Sequence, residues 1–486
     1  MGEEKINYKK LRLRCGLEIH QQLDTEEKLF CSCSTEMKER EITKTIKRKQ
    51  HPVASELGEI DVAAQYEFLR NRVFNYQIFR NETCLVELDE EPPHPLNQEA
   101  LSVALQVALM LNCELPNEIH VMRKTVIDGS NTSGFQRTAV IGLNGSMKFK
   151  GKKIGITHVS LEEDAAAIVK EEGENVTYRL NRLGVPLVEI GTGLLEGYSP
   201  QEVQEIAFNI GMICRSTEKV KRGIGTIRQD VNVSIRGGKR VEMKGVQELG
   251  LLAKIVELEV KRQLDLPKVE EETRTVNEDG TTKYTRPLPG SARMYPETDI
   301  QPIAVQKEFV EKLKKELPEP WTKKLARFES KYKLSEDLAI QIIRSEHLEL
   351  FEKIVGKTNA PASIVANTFI STIKDLEKRE KVNLKRLRDE HYIDLFENVS
   401  KRRIVKEAIP EIIKFLAEKP GETATSAIKE LNLEPLSLTD LKKIIEEVLT
   451  RPGLTYEKAV GIVMSKVRGR IEAEVVMQQV KKMMKS

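Results

Sequence analysis

The sequence predicts an α+β protein with a sheet-containing body over residues 1–303 and two helical parts over 304–405 and 406–486. Strand-length stretches of alternating apolar and polar residues recur through the first part, with only a few helical segments between them. Beyond the first part, the alternation stops and apolar residues recur at helical spacing. Because strands and helices are segregated, the sheet is expected to be largely antiparallel.

Two segments indicate strands most clearly. Over residues 11–23, the apolar side chains share one face, and Glu18 and His20 lie together on the other. Residues 226–236 repeat this pattern, with Arg228 and Asp230 on the polar face. Two shorter strands are predicted over residues 176–181 and 240–244.

Capping residues mark the helices of the body. Ser199 is followed by proline and then Glu202, a capping box that opens a helix running to about Arg215. Asn97 caps a second helix that ends near Cys113. A third helix is predicted over residues 247–264.

Proline and glycine mark the remaining boundaries. Residues 265–303 are polar and rich in these residues, which predicts a loop-rich exit from the body. The helical half is expected to consist of two modules that meet near residue 405. Breaks between its helices are predicted at residues 318–320, 359–361, 419–421 and 451–453.

Composition excludes several classes of protein. The chain has 486 residues, of which 40% are hydrophobic and 31% charged, as in ordinary globular proteins. No run approaches 18 apolar residues, so neither a transmembrane helix nor a membrane partner is expected. The first residues contain no apolar signal stretch, and six cysteines are too few for a disulfide framework. We therefore expect a cytoplasmic protein.

The charge is unevenly distributed along the chain. Residues 401–486 contain 17 lysines and arginines against 12 acids, whereas the rest of the chain contains 61 against 63. A basic tail on a near-neutral body favours an anionic partner bound at one end. A solvated helical surface would give the same composition, so both interpretations remain open.

Several acidic residues could take part in chemistry. Glu18 and His20 could bind a divalent cation or share a proton, or they could lie on a merely solvated face. Glu162, Glu163 and Asp164 are adjacent and repel one another, which a cation would relieve; an exposed helix start is the alternative. Glu189 lies within an apolar run and needs a metal or an ion-pair partner.

Two further segments have side chains that could bind a phosphate group or a substrate. Arg228 and Asp230, followed by Lys244 on the next predicted strand, could bind a magnesium–phosphate group or form ordinary cross-strand ion pairs. The loop at 128–137 combines glycines with small hydrogen-bonding residues, which suits close contact with a substrate but also an ordinary surface turn. The candidates in this loop are Ser130, Asn131 and Ser133.

Well-known signatures are absent from the sequence. It has no Walker-type phosphate loop, no complete dinucleotide fingerprint and no hydrolase nucleophile elbow. Cys31 and Cys33 form only half of a zinc site, since no second closely spaced cysteine pair follows in the body.

Several blocks, in a fixed order, resemble the B/E subunit family of tRNA-dependent amidotransferases. The resemblance covers nearly the whole chain, and two blocks are specifically similar to the archaeal E branch. The family blocks are GLEIHQQL (16–23), LEEDA (161–165), NRLGVPLVEI (181–190), VEMKGVQ (241–247) and RMYPETD (293–299). The E-type blocks are PVASELGE (52–59) and DGSNTSGFQR (128–137).

This resemblance implies a specific activity. A family member of the E type, together with an asparaginase-like D subunit, converts Glu-tRNA(Gln) to Gln-tRNA(Gln). The D subunit supplies ammonia, and the E subunit phosphorylates the glutamyl γ-carboxylate with ATP, because an acyl phosphate has a better leaving group than a carboxylate. A magnesium ion would align this transfer. The alternative is a non-catalytic scaffold that binds tRNA for an active partner.

The resemblance also implies roles for residues of a cradle-shaped body and a tRNA-binding tail. The expected catalytic and magnesium-binding residues are Glu18, His20, Glu163 and Glu189. The residues expected around ATP or the acyl phosphate are Arg182, Arg228, Asp230 and Lys244. The residues expected to contact tRNA phosphates are Lys466, Arg468 and Arg470. Strand alternation conflicts with this scheme at one point, because it pairs Glu162 rather than Glu163 with His158.

Two departures from the family pattern stand out. The E subunit usually carries a large domain, similar to part of aspartyl-tRNA synthetase, inserted between the segments that end near Leu264 and begin at Arg286 here. Only about twenty residues separate them in this chain. Some B subunits complete a zinc site with a second cysteine pair, which this chain does not have, so zinc is not expected.

Overall fold

The computed structural model describes residues 6–54, 58–223, 225–290, 294–451 and 454–484. Its contacts divide the chain into two compact units, Met1–Pro320 and Trp321–Ser486. The predicted break at Pro452 and Gly453, and the parts of the family-like blocks at residues 55–57 and Arg293, lie outside the described residues.

All strands within the described residues belong to the first unit. In chain order, β1 to β9 are Arg14–Gln22, Ile42–Arg48, Val73–Phe79, Glu118–Ile119, Val121–Thr125, Phe135–Phe149, Lys152–Glu163, Ala167–Glu172 and Asn175–Arg179. Strands β10 to β17 are Pro186–Thr192, Leu195–Glu196, Ile227–Ser234, Val241–Val246, Glu272–Val276, Thr282–Pro287, Met294–Pro296 and Ile303–Ala304.

A large sheet organises this unit. Within the described residues its strand order is β15-β14-β13-β12-β1-β10-β7-β6-β5-β16, with β11 paired to β1. Neighbours are antiparallel except β13 and β14, which are parallel. A second sheet has the order β2-β3-β9-β8, and β4 pairs with β17. The expectation of an α+β fold with a largely antiparallel sheet is confirmed.

Helices cover one face of the large sheet and leave the other for the polar residues. Cys15, Leu17 and Ile19 of β1 lie in the main hydrophobic core together with helical residues. Alternation along the strand then directs Glu18 and His20 to the opposite face. The helices of this unit are α1 (Val62–Leu69), α2 (Gln98–Met110), α3 (Pro200–Ser216), α4 (Leu252–Asp265) and α5 (Lys307–Lys315), with a 3₁₀ turn at Leu249–Leu251.

The predicted helix caps are confirmed. Asn97 accepts a hydrogen bond from the backbone N–H of Ala100 at the start of α2. Ser199 accepts one from the Glu202 N–H, while the Glu202 side chain accepts from the Ser199 N–H. Each cap therefore satisfies backbone donors that a helix start would otherwise leave unpaired.

The first unit extends beyond the boundary predicted at residue 303. Helix α5 places Leu313 in the main core, with Phe309 packed against it. The amphipathic pattern that favoured a separate helical domain therefore serves the sheet-containing unit, which ends at Pro320.

The second unit is helical, as predicted. Helices α14 to α16 share a hydrophobic cluster that includes Leu441, Val463 and Val480. The division expected near residue 405 stays a prediction. The helices of the second unit, α6 to α16, are Trp321–Tyr332, Glu336–Arg344, Leu348–Lys357, Ala362–Asn367, Ile373–Lys378, Asp389–Ser400, Ile409–Glu418, Ala424–Glu430, Leu438–Leu449, Tyr456–Val467 and Ala473–Met483. Short 3₁₀ or π turns lie at Thr368–Thr372, Leu384–Arg386 and Lys406–Ala408.

One part of the secondary-structure prediction is wrong. The segment predicted as a loop-rich exit contains β14 and β15, which form a hairpin beside β13. These strands are rich in threonine and charged residues, so apolar alternation did not reveal them, although threonine favours strands. Among the described residues, no helix is both long and apolar enough to cross a bilayer.

Candidate functional site

A polar cavity of about 290 Å³ opens on the uncovered face of the large sheet. Neighbouring strands direct acids and cations into it because their registers align. His20 on β1 is directly opposite Glu189 on β10, and Leu187, two residues before Glu189, is opposite Glu162 on β7. The charged residues lining the cavity are Glu18, His20, Lys124, Asp128, Glu162, Asp164, Glu189, Arg228, Asp230, Lys244 and Arg286.

Glu189 lies at the centre of a hydrogen-bonded group. Its Oε2 atom is 3.1 Å from Nε2 of His20 and 3.4 Å from Nζ of Lys124, and its Oε1 atom is 2.8 Å from Nε2 of His158. Burial alone would raise the pKa of Glu189, but Lys124 and the two imidazoles outweigh it and hold that pKa well below the usual range. The carboxylate is therefore ionised at neutral pH.

The pKa values of the two histidines are raised, in contrast to that of Glu189. The hydrogen bond to Glu189 raises the pKa of His158. Burial lowers the pKa of His20, but the bond to Glu189 and the surrounding acids more than offset this, so the net shift is upward. The ionised Glu189 carboxylate therefore favours the charged form of both imidazole rings when no cation is bound between them.

The residues present fit a divalent cation. One donor atom each from Glu18, His20 and Glu189 lies within 4.8 Å of the others, and the same holds for Glu18, Asp230 and Glu242. Oε1 of the fully buried Glu162 accepts hydrogen bonds from Lys124 and Thr138, whereas Oε2 has no hydrogen-bond partner among the described residues. A buried carboxylate oxygen without a partner is costly unless it binds a cation, and magnesium prefers oxygen ligands.

The structure separates Glu163 from this group. Strand β7 keeps a regular register with β10 from Glu163 to His158, so Glu162 and Glu163 project to opposite faces. Glu163 accepts a hydrogen bond from the backbone N–H of Arg137 at 3.1 Å and lies 3.4 Å from its guanidinium. The expected metal set of Glu18, His20, Glu163 and Glu189 is therefore not gathered as a whole, because the pairing of β7 with β10 has no bulge between His158 and Glu163. Glu162 lies in the cavity instead.

The residues expected around phosphate fall into two ion-pair groups. Arg228 donates to Asp164 at 2.7 Å, and Arg182 lies 3.8 Å from the same carboxylate. Lys244 donates to Asp230 at 3.1 Å. Arg228, Asp230 and Lys244 line the cavity, whereas Arg182 does not, because its guanidinium donates to the carbonyls of residues 165 and 166.

Asp164 is expected to stabilise the fold. Burial would raise its pKa, but Arg228 and Arg182 lower it below the usual value. Since the folded-state pKa lies below that of the unfolded chain, its contribution is complete above about pH 3.9 and is lost as the pH falls through the folded-state pKa. Asp164→Asn should lower the free energy of unfolding by about 3–5 kcal/mol at pH 7, since it leaves buried guanidinium groups without a partner charge.

Chemical denaturation at pH 7 and pH 3 tests this prediction. The difference between the original chain and Asp164→Asn should shrink at the lower pH. Asp24→Asn is the matched control, because Asp24 is exposed and should change stability by less than about 0.5 kcal/mol. A pH-independent difference, or no difference at pH 7, would contradict the assignment.

Of the three substrate-loop candidates, two line the cavity and one does not. Ser130 and Asn131 line the cavity, and Oδ1 of Asn131 is buried without a hydrogen-bond partner in the described parts of the chain. Ser133 instead donates to the carbonyl of Phe135 and stabilises the turn. Gly129 has a φ of 90°, and a Cβ atom there would overlap the Phe74 ring, so the loop needs glycine at this position.

Sequence reasoning missed part of the site. No local pattern identifies Lys124 as a site residue, and strand alternation alone connects His158 with the acidic residues. Arg286 lies in the segment interpreted as loop-rich, although it is on β15 and lines the cavity. These residues reach the cavity because of the order of the strands in the sheet, and local sequence patterns do not predict strand order.

A second cluster corrects the interpretation of the cysteines. Donor atoms of Cys31, Cys33, Cys84 and Glu87 lie within 4.8 Å of one another, so the two thiols are not half of a site without partners. Nζ of the fully buried Lys28 lies 2.7 Å from Glu87. Cysteine and carboxylate ligands occur in tetrahedral zinc sites, and the other two donors here lie in a Cys-x-x-Glu segment rather than in a second cysteine pair.

The tail candidates lie on the surface of the second unit. Lys466 near the end of α15 pairs with Glu447 at 2.6 Å. Arg468 is 78% exposed, and Arg470 donates to the carbonyl of Glu434. The three cations are therefore close in sequence and available from solvent to different degrees.

Comparisons with known proteins agree with the sequence resemblance. The family model of the GatB/GatE catalytic domain matches residues 13–311, and the GatB domain model matches residues 349–484. The E subunit of the glutamyl-tRNA(Gln) amidotransferase of Methanocaldococcus jannaschii is 35% identical over 629 positions, which cover 99% of this chain and 100% of that protein. Proteins of the same name from Aeropyrum pernix and Saccharolobus solfataricus are 36% and 34% identical and cover 97% and 99% of this chain.

The first of these alignments also bears on the expected insertion. It has 629 positions against 486 residues in this chain, so at least 143 of them, the difference between the two numbers, hold residues of the relative alone. That relative therefore carries a domain-sized amount of sequence that this chain does not have.

Proposed function

The chain belongs to the GatB/GatE family as an E-type glutamyl-tRNA(Gln) amidotransferase subunit, and on this premise we propose that it catalyses an ATP-dependent amidation. The substrate is tRNA(Gln) charged with glutamate. The γ-carboxylate of the glutamyl group attacks the γ-phosphorus of ATP, and ADP leaves. Ammonia then attacks the carbonyl carbon of the acyl phosphate, inorganic phosphate leaves, and a proton is released.

One observation carries this proposal. A single cavity combines the oxygen-rich group around Glu18 and Glu189 with Arg228 and Lys244. Phosphoryl transfer requires positioning of negatively charged oxygens rather than a protein nucleophile, and these are the side-chain types that such positioning uses. The proposal also includes the cradle shape that the family resemblance implies for the sheet-containing body.

The residues of the cavity have distinct tasks in this reaction. Glu18, His20, Glu162 and Glu189 would hold magnesium, with Asp230 nearby. When bound, the metal neutralises phosphate charge and aligns the transfer. Lys244 and Arg228 orient phosphate oxygens through charge-assisted hydrogen bonds. Glu189 keeps His20 and His158 in fixed orientations through its two carboxylate oxygens.

Ammonia is expected to come from an asparaginase-like D subunit, which hydrolyses an amide donor. Because free ammonia is the reacting species, ammonium salts should replace the partner in the test tube. The second candidate is a non-catalytic scaffold that binds tRNA for another protein, and the basic tail by itself would suit either function.

A partner-free reaction separates the two candidates. The full chain is incubated with ATP, magnesium, ammonium chloride and Glu-tRNA(Gln), and the amino acid on the tRNA is identified after mild hydrolysis. Glutamine and a matching amount of ADP would support catalysis by this chain. Binding of the tRNA without either product would favour the scaffold.

The tail is expected to supply phosphate contacts. Changing Lys466, Arg468 and Arg470 together to alanine should weaken tRNA binding and reduce the slope of log affinity against log salt by about 2–3. The control replaces the exposed Lys429, Lys442 and Lys443, which removes the same charge from the same unit.

Filter binding at several salt concentrations gives both quantities. Equal losses in the two triple variants would assign the effect to net charge rather than to this surface. Unchanged affinity in the first variant would refute the tail assignment.

A further inference from the structure

The loop between β5 and β6 brings an unpaired hydrogen-bond acceptor to the wall of the polar cavity. Asn131 lines the cavity and is only 2% exposed, and its Oδ1 atom has no hydrogen-bond partner among the described residues. Because a buried carbonyl oxygen without a partner is costly, such an atom beside a cavity indicates a donor that arrives with the ligand. The proposed reaction assigns this atom no task.

The neighbouring hydroxyl group determines the orientation of the Asn131 amide. Oγ of Ser130 donates its proton to Oδ1 of Asp128 at 2.6 Å, so it can only accept from its other neighbours. Asn131 therefore presents Nδ2, the donor atom of its amide, to Oγ of Ser130 at 3.3 Å. Exchanging the two amide atoms would place two acceptors side by side, so the unpaired atom is the carbonyl oxygen.

The backbone of this loop is fixed from both sides. The hydroxyl group of Tyr76 donates to the carbonyl of Gly129 at 2.8 Å, and the backbone N–H of Ala166 donates to the carbonyl of Ser130 at 2.8 Å. A loop that is already ordered loses little conformational entropy when a ligand binds to it. Asn131 is therefore presented to the cavity by a preorganised backbone.

A carboxylate accompanies the unpaired acceptor. Asp128 also lines the cavity, and its Oδ1 atom accepts from the backbone N–H and the hydroxyl group of Ser130. Its Oδ2 atom lies 3.9 Å from Arg286, which is longer than a hydrogen bond, so this oxygen can still accept one. A carbonyl oxygen and a carboxylate linked through one serine suit a cationic N–H donor, such as an ammonium group.

We propose that Asn131 and Asp128 bind the α-ammonium group of the glutamyl ester on tRNA. This inference rests on the proposed function and identifies the part of its substrate that the loop recognises. The α-nitrogen and the γ-carboxyl carbon of a glutamyl group are four bonds apart, about 5 Å when extended. Both ends therefore fit in a cavity of about 290 Å³, with the γ-carboxylate near Arg228 and Lys244.

Amidation of two acylated tRNAs tests the proposal. Glu-tRNA(Gln) is compared with glutaryl-tRNA(Gln), in which a hydrogen atom replaces the α-amino group, using the full chain, ATP, magnesium and ammonium chloride. The original chain should show a kcat/KM about twentyfold higher for Glu-tRNA(Gln), since a hydrogen bond to a charged group contributes to binding. In Asn131→Ala this preference should fall at least about fivefold, because the acceptor is gone.

The outcomes that overturn the proposal are equally specific. A preference below about twofold in the original chain would do so, as would the same preference in Asn131→Ala and in the original chain. A higher KM for ammonium chloride in Asn131→Ala, with an unchanged preference between the two tRNAs, would assign the acceptor to ammonia instead.

Further variants separate recognition from loss of structure. Asn131→Asp keeps an acceptor and should retain the preference, whereas Asp128→Asn keeps the Oδ1 acceptor for Ser130 and should reduce it. Asn209→Ala is the control, since Asn209 lies on α3 and its side chain donates to the carbonyl of Glu205 in the same helix. Its preference should equal that of the original chain. Thermal melting confirms that each variant is folded.

Equilibrium binding separates failure of this inference from failure of the proposed function. Filter binding of both acylated tRNAs is measured with magnesium and a non-hydrolysable ATP analogue, without ammonia. Tighter binding of Glu-tRNA(Gln) by the original chain, reduced in Asn131→Ala, supports the assignment even if no amidation is observed with any form. Equal binding of the two tRNAs by the original chain overturns the assignment even if amidation is active.

Discussion

Replacing Glu189 by glutamine is expected to lower the rate of ATP-dependent amidation more than a hundredfold. Groups that only support a metal ligand already contribute about 10–100-fold, and Glu189 belongs to the donor group itself. Glutamine keeps the size of the side chain but removes the charge that balances Lys124 and raises the pKa of both His20 and His158. The amidation rate with ammonium chloride is the first measurement.

Two further measurements make this prediction specific. Histidine NMR titrations should show the pKa values of His20 and His158 falling towards the ordinary value in Glu189→Gln, because the carboxylate that favours their charged forms is gone. Affinity for tRNA should stay within about twofold. Glu196→Gln is the control, since Glu196 lies on β11, is partly exposed and pairs only with Arg14 among the described residues. Full activity in Glu189→Gln would show that the chemistry lies elsewhere.

The second large change in activity is expected from substitution at one of the adjacent residues Glu162 and Glu163. Glu162→Gln should reduce ATP-dependent amidation more than a hundredfold, because Glu162 lines the cavity and is a buried carboxylate whose Oε2 atom has no hydrogen-bond partner among the described residues. Glu163→Gln should keep activity within about threefold and lower the free energy of unfolding by about 1–3 kcal/mol through its contacts with Arg137.

The two variants are matched, since they differ by one position and remove the same charge. The family resemblance alone implied the reverse assignment, with Glu163 as the metal ligand. Activity and urea unfolding measured on both variants decide between the two. Loss of activity in Glu163→Gln with unchanged stability would restore the original assignment and would require β7 to twist locally in the active state.

Local sequence patterns were sufficient for much of the fold. Alternation in β1 predicted that Glu18 and His20 share a face, and burial of Leu17 and Ile19 on the other face confirms it. The capping box at Ser199 predicted the start of α3. Both are short-range effects, decided by residues within three or four positions of one another.

Long-range features could not be predicted in this way. Lys124 reaches Glu162 and Glu189 only because β5, β6, β7 and β10 are neighbours in the sheet. Cys84 lies 51 positions after Cys33, and nothing in the spacing of the chain indicates that their thiols meet. Such contacts depend on strand order and loop paths, which local periodicity does not determine.

The position of Lys124 has a consequence for how the acidic cluster exists without a metal ion. Its ammonium group lies 2.9 Å from Oε1 of Glu162 and 3.4 Å from Oε2 of Glu189, so it acts as an internal counter-ion. Its positive charge therefore offsets part of the repulsion between these two carboxylates. In the proposed function, magnesium would compete with the Lys124 ammonium group for these shared oxygens, and we expect the sheet to stay folded when the ion is removed.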